Sequence, residues 1–154
     1  MIIEGKHYQN AYITRNIEKA ITTFKKHADI RKILQYEGTT EVMTPAGRGT
    51  QTNKLAFIWV EDLQYEFIEP GPGIVEIYRE ALPADDSLKF HHICMRVPDW
   101  KKARAEVDEK QWPVAYEGGV EGCNFVYIDS RDSLGHYVEY MWMSEELWAY
   151  TGGK

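Results

Sequence analysis

Residues 89–103 read KFHHICMRVPDWKKA, and this stretch carries one copy of a repeat. KFHHICMRV is apolar and β-favouring and reads as a strand. Asp99 follows where a helix N-cap would stand, because its carboxylate can accept a backbone N–H of the first turn. WKKARAEVDEK is then helical in character, with Trp100, Ala103 and Val107 on one side. The same order occurs earlier in the chain. HYQNAYIT (7–14) reads as a strand, and Asn16 is a second N-cap candidate. Ile17, Ala20, Ile21 and Phe24 then recur at helical spacing. NIEKA (16–20) and DWKKA (99–103) match as cap, apolar, charged, lysine and alanine, which sets an offset of 83 residues.

The remaining segments extend both copies. RKILQYEGTTEV is expected to be a strand running into a loop. TPAGRGTQTN, dense in Gly, Pro and Thr, is expected to be a turn or mobile loop. KLAFIWVEDLQYEFIEP reads as two strands around Glu61 and Asp62, stopped by Pro70. GPGIVEIYREALPADDS gives a loop, a short helix and a polar linker. In the second half WPVAYEGG, CNFVYIDS and HYVEYMWM read as strands and RDSLG as a turn, and SEELWAY as a short helix capped by Ser144. Each half is therefore β-α-β-β-β. Residues 1–83 form a first module with a linker helix, and 84–154 a second with a C-terminal helix. Together they make one compact α+β domain.

Composition narrows the function classes. The 154 residues are 44% hydrophobic and 27% charged, enough for a core without staples. A net charge of −6 argues against non-specific binding to nucleic acid or to an anionic membrane. The opening MIIEGKHYQNAYI lacks the long apolar run of a membrane helix and the features of a secretory signal. A cytoplasmic location is expected, with Cys94 and Cys123 reduced and packed as small apolar residues. The partner expected is a small-molecule substrate.

The repeat register picks out four polar residues. The 83-residue offset places Gln9 opposite His92. At the far ends Tyr65-Glu66-Phe67 aligns with Val138-Glu139-Tyr140. Two carboxylates thus occupy equivalent positions in otherwise apolar strands. A buried ionised carboxylate must be paired, hydrogen-bonded or metal-bound. Imidazole, two carboxylates and an amide oxygen suit a borderline or hard divalent ion. The same pattern also fits solvent-facing glutamates on a one-sided sheet, with His92 a hydrogen-bonded strand histidine. His91 points to the opposite face from His92 and is expected on the surface or in packing. A register slip of two residues would put His7 in the place of Gln9. Other motifs are bland: GPG (71–73) and RDS (131–133) read as turns, and Arg48 as a solvated loop tip. Trp148 and Tyr150 are expected to be exposed, at a dimer contact or over the site.

With these residues in view, the chain resembles the vicinal oxygen chelate superfamily of glyoxalase I, bleomycin-resistance proteins, extradiol dioxygenases and methylmalonyl-CoA epimerase. FHHICMRVPDWKKA and IDSRDSLGHYVEYMW carry the resemblance in the second half, and YEFIEPGPG in the first. It implies two tandem βαβββ modules forming a curved, open, barrel-like mixed sheet around a metal. By position it implies Gln9, Glu66, His92 and Glu139 as ligands, a set similar to that of zinc-type glyoxalase I. Epimerases usually carry histidine in place of Gln9. The resemblance also implies a homodimer.

Three functions follow in order. The first is a metal-dependent isomerase or lyase acting on a carbonyl compound through a metal-stabilised enolate, with zinc, nickel, cobalt or manganese. Glu139 is the expected base, Glu66 the second choice, and Glu41 a third candidate carried over from epimerase-like relatives. The second is a ring-cleaving extradiol-type iron dioxygenase, which wants two histidines and one carboxylate. The third is a metal-free small-molecule binding or resistance protein, which leaves the matched carboxylates unexplained.

Overall fold

The computed structural model describes residues 3–154. In chain order its elements are β1 (Lys6–Ile13), α1 (Ile17–Phe24), β2 (Lys32–Thr44), β3 (Gly47–Val60), β4 (Leu63–Gly73), α2 (Glu76–Arg79), β5 (Lys89–Arg96), α3 (Trp100–Glu109), β6 (Val114–Val120), β7 (Cys123–Ile128), α4 (Arg131–Leu134), β8 (Tyr137–Met143) and α5 (Glu145–Thr151). The eight strands form one closed mixed barrel in the order β1-β4-β3-β2-β6-β7-β8-β5.

Pairings in the first half recur in the second. β1 runs parallel to β4 and β5 parallel to β8. Gln9 lies opposite Gln64 and Ala11 opposite Glu66. At the matching places His92 lies opposite Tyr137 and Cys94 opposite Glu139. The halves meet where β1 and β5 pair antiparallel. On the far side the ring closes by two residue pairs between β2 and β6, Val42 with Gly118 and Met43 with Glu117. Gly118 is needed there: a Cβ would stand 2.7 Å from the Glu41 carbonyl oxygen.

The helices start where the sequence places caps. Asn16, Asp99 and Ser144 each accept the backbone N–H three residues on. α1 buries Ile17, Ala20 and Ile21 against Ala56, Ile58 and Phe67 on the outer wall. α3 packs Ala103 and Val107 against Val126, Ile128, Val138 and Tyr140 of its own half. RDSLG forms one helical turn ended by Gly135 at φ 80°, a value that suits glycine.

Three expectations need correction. The Gly- and Thr-rich stretch is no mobile loop: β2 and β3 form a hairpin paired without a gap from Lys32–Trp59 to Thr44–Gly47. Only Pro45 and Ala46 turn. The threonines favour strand, and the Thr39 and Thr52 hydroxyls bond across it at 2.8 Å. Pro70 does not stop β4, which runs on to Gly73. It sits beyond the last β1 pair, Ile13–Ile68, and beside a bulge at Gln51/Asn53, where a missing N–H is tolerated. Finally, Trp148 is buried. Its ring packs edge-on against Tyr8 and Trp59, and Trp59 donates to the Thr151 carbonyl at 2.7 Å. α5 thereby stoppers one end of the barrel. Tyr150 remains exposed. Among the described residues, no helix is long and apolar enough to cross a membrane.

Candidate metal centre

The barrel turns Gln9, Glu66, His92 and Glu139 into buried residues, with exposures of 1%, 6%, 0% and 2%. β1, β4, β5 and β8 are consecutive around the ring, so the four polar positions fall on adjacent strands. His92 Nε2 lies 3.1 Å from Glu139 Oε2 and 3.7 Å from Glu66 Oε2. One donor atom from each of the three lies within 4.8 Å of the others, so the group could hold a metal ion. Gln9 donates through Nε2 to Gln64 Oε1 at 2.5 Å, which leaves its own Oε1 buried without a partner. A buried amide oxygen without a donor is costly, and a cation would satisfy it. Glu66, His92 and Glu139 thus form a buried group that could hold a metal ion.

Charge arithmetic points the same way. Two carboxylates and an imidazolium leave one net negative charge in the barrel. Two carboxylates, a neutral imidazole and a divalent cation leave none, which suits a buried site better. Burial raises the Glu66 carboxyl above its usual range, and the Glu139 charge adds to this, although His92 pulls it down. Burial acts most strongly on His92 and lowers it, yet the hydrogen bonds and charges of Glu139 and Glu66 together hold it at about 9.

A tyrosine layer closes the other end. The Tyr127 hydroxyl is 3.4 Å from His92 Nε2, and Tyr78 donates to Tyr127 at 2.9 Å. Burial and the Glu139 charge push the Tyr127 phenol well above its usual value. Tyr116 packs edge-on against Tyr127, its hydroxyl buried without a hydrogen bond. Tyr116 and Tyr137 also line a cavity of about 640 Å³ at this end, together with Ile77, Arg48 and Arg131. From that cavity, Tyr116 and then Tyr127 lead to His92.

The other candidates lie elsewhere. His7 is exposed and its Nε2 bonds Asn10 Oδ1, whereas Gln9 is buried. Glu41 is exposed on β2 opposite Thr50 and lines a separate depression with Trp100 and Arg104. His91 is buried in packing, stacked on Tyr137 with ring centroids 4.8 Å apart. Nothing in VEIYRE marks Tyr78 as part of the centre from sequence alone.

The sequence profile of the Glyoxalase/Bleomycin resistance protein/Dioxygenase superfamily matches residues 8–127. No curated protein matches the sequence. Solved structures share the fold at low identity. A hypothetical protein from Bacillus halodurans is 18% identical with a TM-score of 0.65, over 93% of this chain and 97% of its own. Methylmalonyl-CoA epimerase from Mycobacterium tuberculosis is 14% identical with a TM-score of 0.65, over 97% of both chains. A variant of the Streptomyces coelicolor epimerase in complex with 2-nitronate-propionyl-CoA is 14% identical with a TM-score of 0.65, over 92% of this chain and 96% of its own.

Proposed function

The chain belongs to the Glyoxalase/Bleomycin resistance protein/Dioxygenase superfamily, and on that premise we propose that it is a metal-dependent isomerase or lyase acting on a carbonyl compound through an enolate. The observation that carries this reading is the buried Glu66/His92/Glu139 group, together with the unpartnered amide oxygen of Gln9 on the neighbouring strand β1. Gln9, Glu66, His92 and Glu139 would hold a zinc, nickel, cobalt or manganese ion through one amide oxygen, two carboxylates and one imidazole. When bound, the ion supplies Lewis acidity toward a substrate carbonyl.

The chain's own groups do the rest. A glutamate of the pair takes the proton from the carbon beside the carbonyl. Glu139 is the first candidate and Glu66 the second, as the two carboxylates of the buried group. An isomerase must return a proton to the opposite face, which the second glutamate of the pair, once protonated, would supply. The Streptomyces coelicolor epimerase holds an acyl-CoA analogue, which makes acyl thioesters the first carbonyl class to try. Gln9 stands where epimerases usually carry histidine, so the reading stops at a carbonyl compound. A ring-cleaving dioxygenase is a poorer fit, because one histidine and two carboxylates make up the group.

The test is metal content of tag-free protein, in wild type, His92→Ala and Glu139→Ala. One equivalent in wild type, lost in both variants, is the expected result. The loaded protein should then exchange the α-proton of a carbonyl substrate into deuterated water. A wild type that takes up none of the four metals sinks the proposal.

A further inference from the structure

His91 and His92 face each other through the same ring atom: Nδ1 of one lies 2.9 Å from Nδ1 of the other. The second nitrogen of His91, Nε2, lies 2.8 Å from the carbonyl oxygen of Ile77 in α2. These two contacts order the protons. A carbonyl only accepts, so His91 Nε2 must carry a hydrogen. The two Nδ1 atoms can share only one. We propose that His91 is a positioning residue, which accepts the Nδ1–H of His92 and so leaves His92 Nε2 free as the metal-binding lone pair.

The inference rests on the metal reading above and adds a residue to it. A neutral imidazole carries one hydrogen, and a ligating Nε2 must carry none, so the hydrogen of His92 must sit on Nδ1. Most ligating histidines give that hydrogen to a carboxylate, a carbonyl or water. Here it meets a second imidazole, itself pinned by the Ile77 carbonyl and by the Tyr137 ring. The chain Ile77 carbonyl, His91, His92 fixes both the tautomer and the ring plane. It also links His92 to α2, the short helix whose Tyr78 donates to the Tyr127 hydroxyl near His92. His91 touches no substrate in this scheme and acts only through His92.

Two substitutions separate this role from plain packing. His91→Phe keeps the ring over Tyr137 but offers His92 no acceptor. His91→Asn loses the ring but puts an amide oxygen near the place of Nδ1. Zinc affinity is read by competition with a chromophoric chelator. His91→Phe should weaken it about 10–100-fold, with His91→Asn much closer to wild type. Phe binding as tightly as wild type, or Asn as weakly as Phe, overturns the proposal. Nitrogen-15 spectra of the wild-type imidazoles give a readout that needs neither a variant nor a metal. The expected pattern is hydrogen on His92 Nδ1 and on His91 Nε2, with His91 Nδ1 bare. Hydrogen on His91 Nδ1 refutes the relay. If wild type takes up none of zinc, nickel, cobalt or manganese, the functional proposal fails, and the spectra still decide the proton order.

Discussion

At the residue scale, His92 makes the centre sensitive to pH in a defined direction. Its folded value of about 9 lies above the ordinary histidine value, near 6.5 when unfolded. In chelator-treated protein its ion pair with Glu139 and Glu66 is therefore fully present below about 6.5 and lost as pH rises through about 9. Glu66, also raised, changes with the same sign. The urea midpoint of chelator-treated protein should fall across that window. Zinc affinity should rise across it, because the ion must displace the Nε2 proton. A midpoint that climbs instead would show that His92 is not held charged. The burial of Glu66, His92 and Glu139 together follows a repeat that gives polar positions counterparts: Gln9 answers His92, and Glu66 answers Glu139. His91 was not legible in this way, because strand alternation assigns it to the other face, and its ring nonetheless reaches Nδ1 of its neighbour.

Elements carry a different kind of information. Caps and helical spacing fixed α1 and α3, since Asn16 and Asp99 act within one turn of the chain. The β2–β3 hairpin was misread because glycine and threonine are common both in loops and in strands that must approach other backbone closely. Gly118 shows the second use. An added Cβ would also stand 2.9 Å from the Phe125 ring, so Gly118→Ala should prise at the β2–β6 seam. A loss of roughly 1–3 kcal/mol is expected, as for overpacking elsewhere. Hydrogen exchange should quicken first at Val42 and Met43, the two β2 residues of that seam. Unchanged protection there would mean that the seam is not held by this close approach. α5 makes the complementary case. Its polar start, SEE, gave the cap, but the burial of Trp148 depends on Tyr8 and Trp59, which are distant in sequence. Trp148→Ala should cost about 3–5 kcal/mol, read from urea unfolding, and a cost under 1 kcal/mol would mean that the stopper is dispensable.

For the whole molecule, strand order could not come from local pattern, because parallel β1–β4 and β5–β8 pairs join residues more than forty positions apart. That order has a thermodynamic consequence. The ring has no free-standing half: β1 pairs with β5 on one side and β2 with β6 on the other. The metal group likewise takes Glu66 from one half and His92 and Glu139 from the other. Unfolding either half strips the other of its neighbours and leaves charged side chains of the centre without partners. The chain should therefore unfold in a single transition. Trp59 reports on the first half and Trp100, Trp112 and Trp142 on the second, so tryptophan fluorescence and far-ultraviolet dichroism should give one midpoint. Zinc at a hundred times its dissociation constant should shift both probes together, by about 2.7 kcal/mol. Two separated transitions, with zinc moving only the second, would mean that the halves fold independently and that Glu66 contributes nothing to holding the ion.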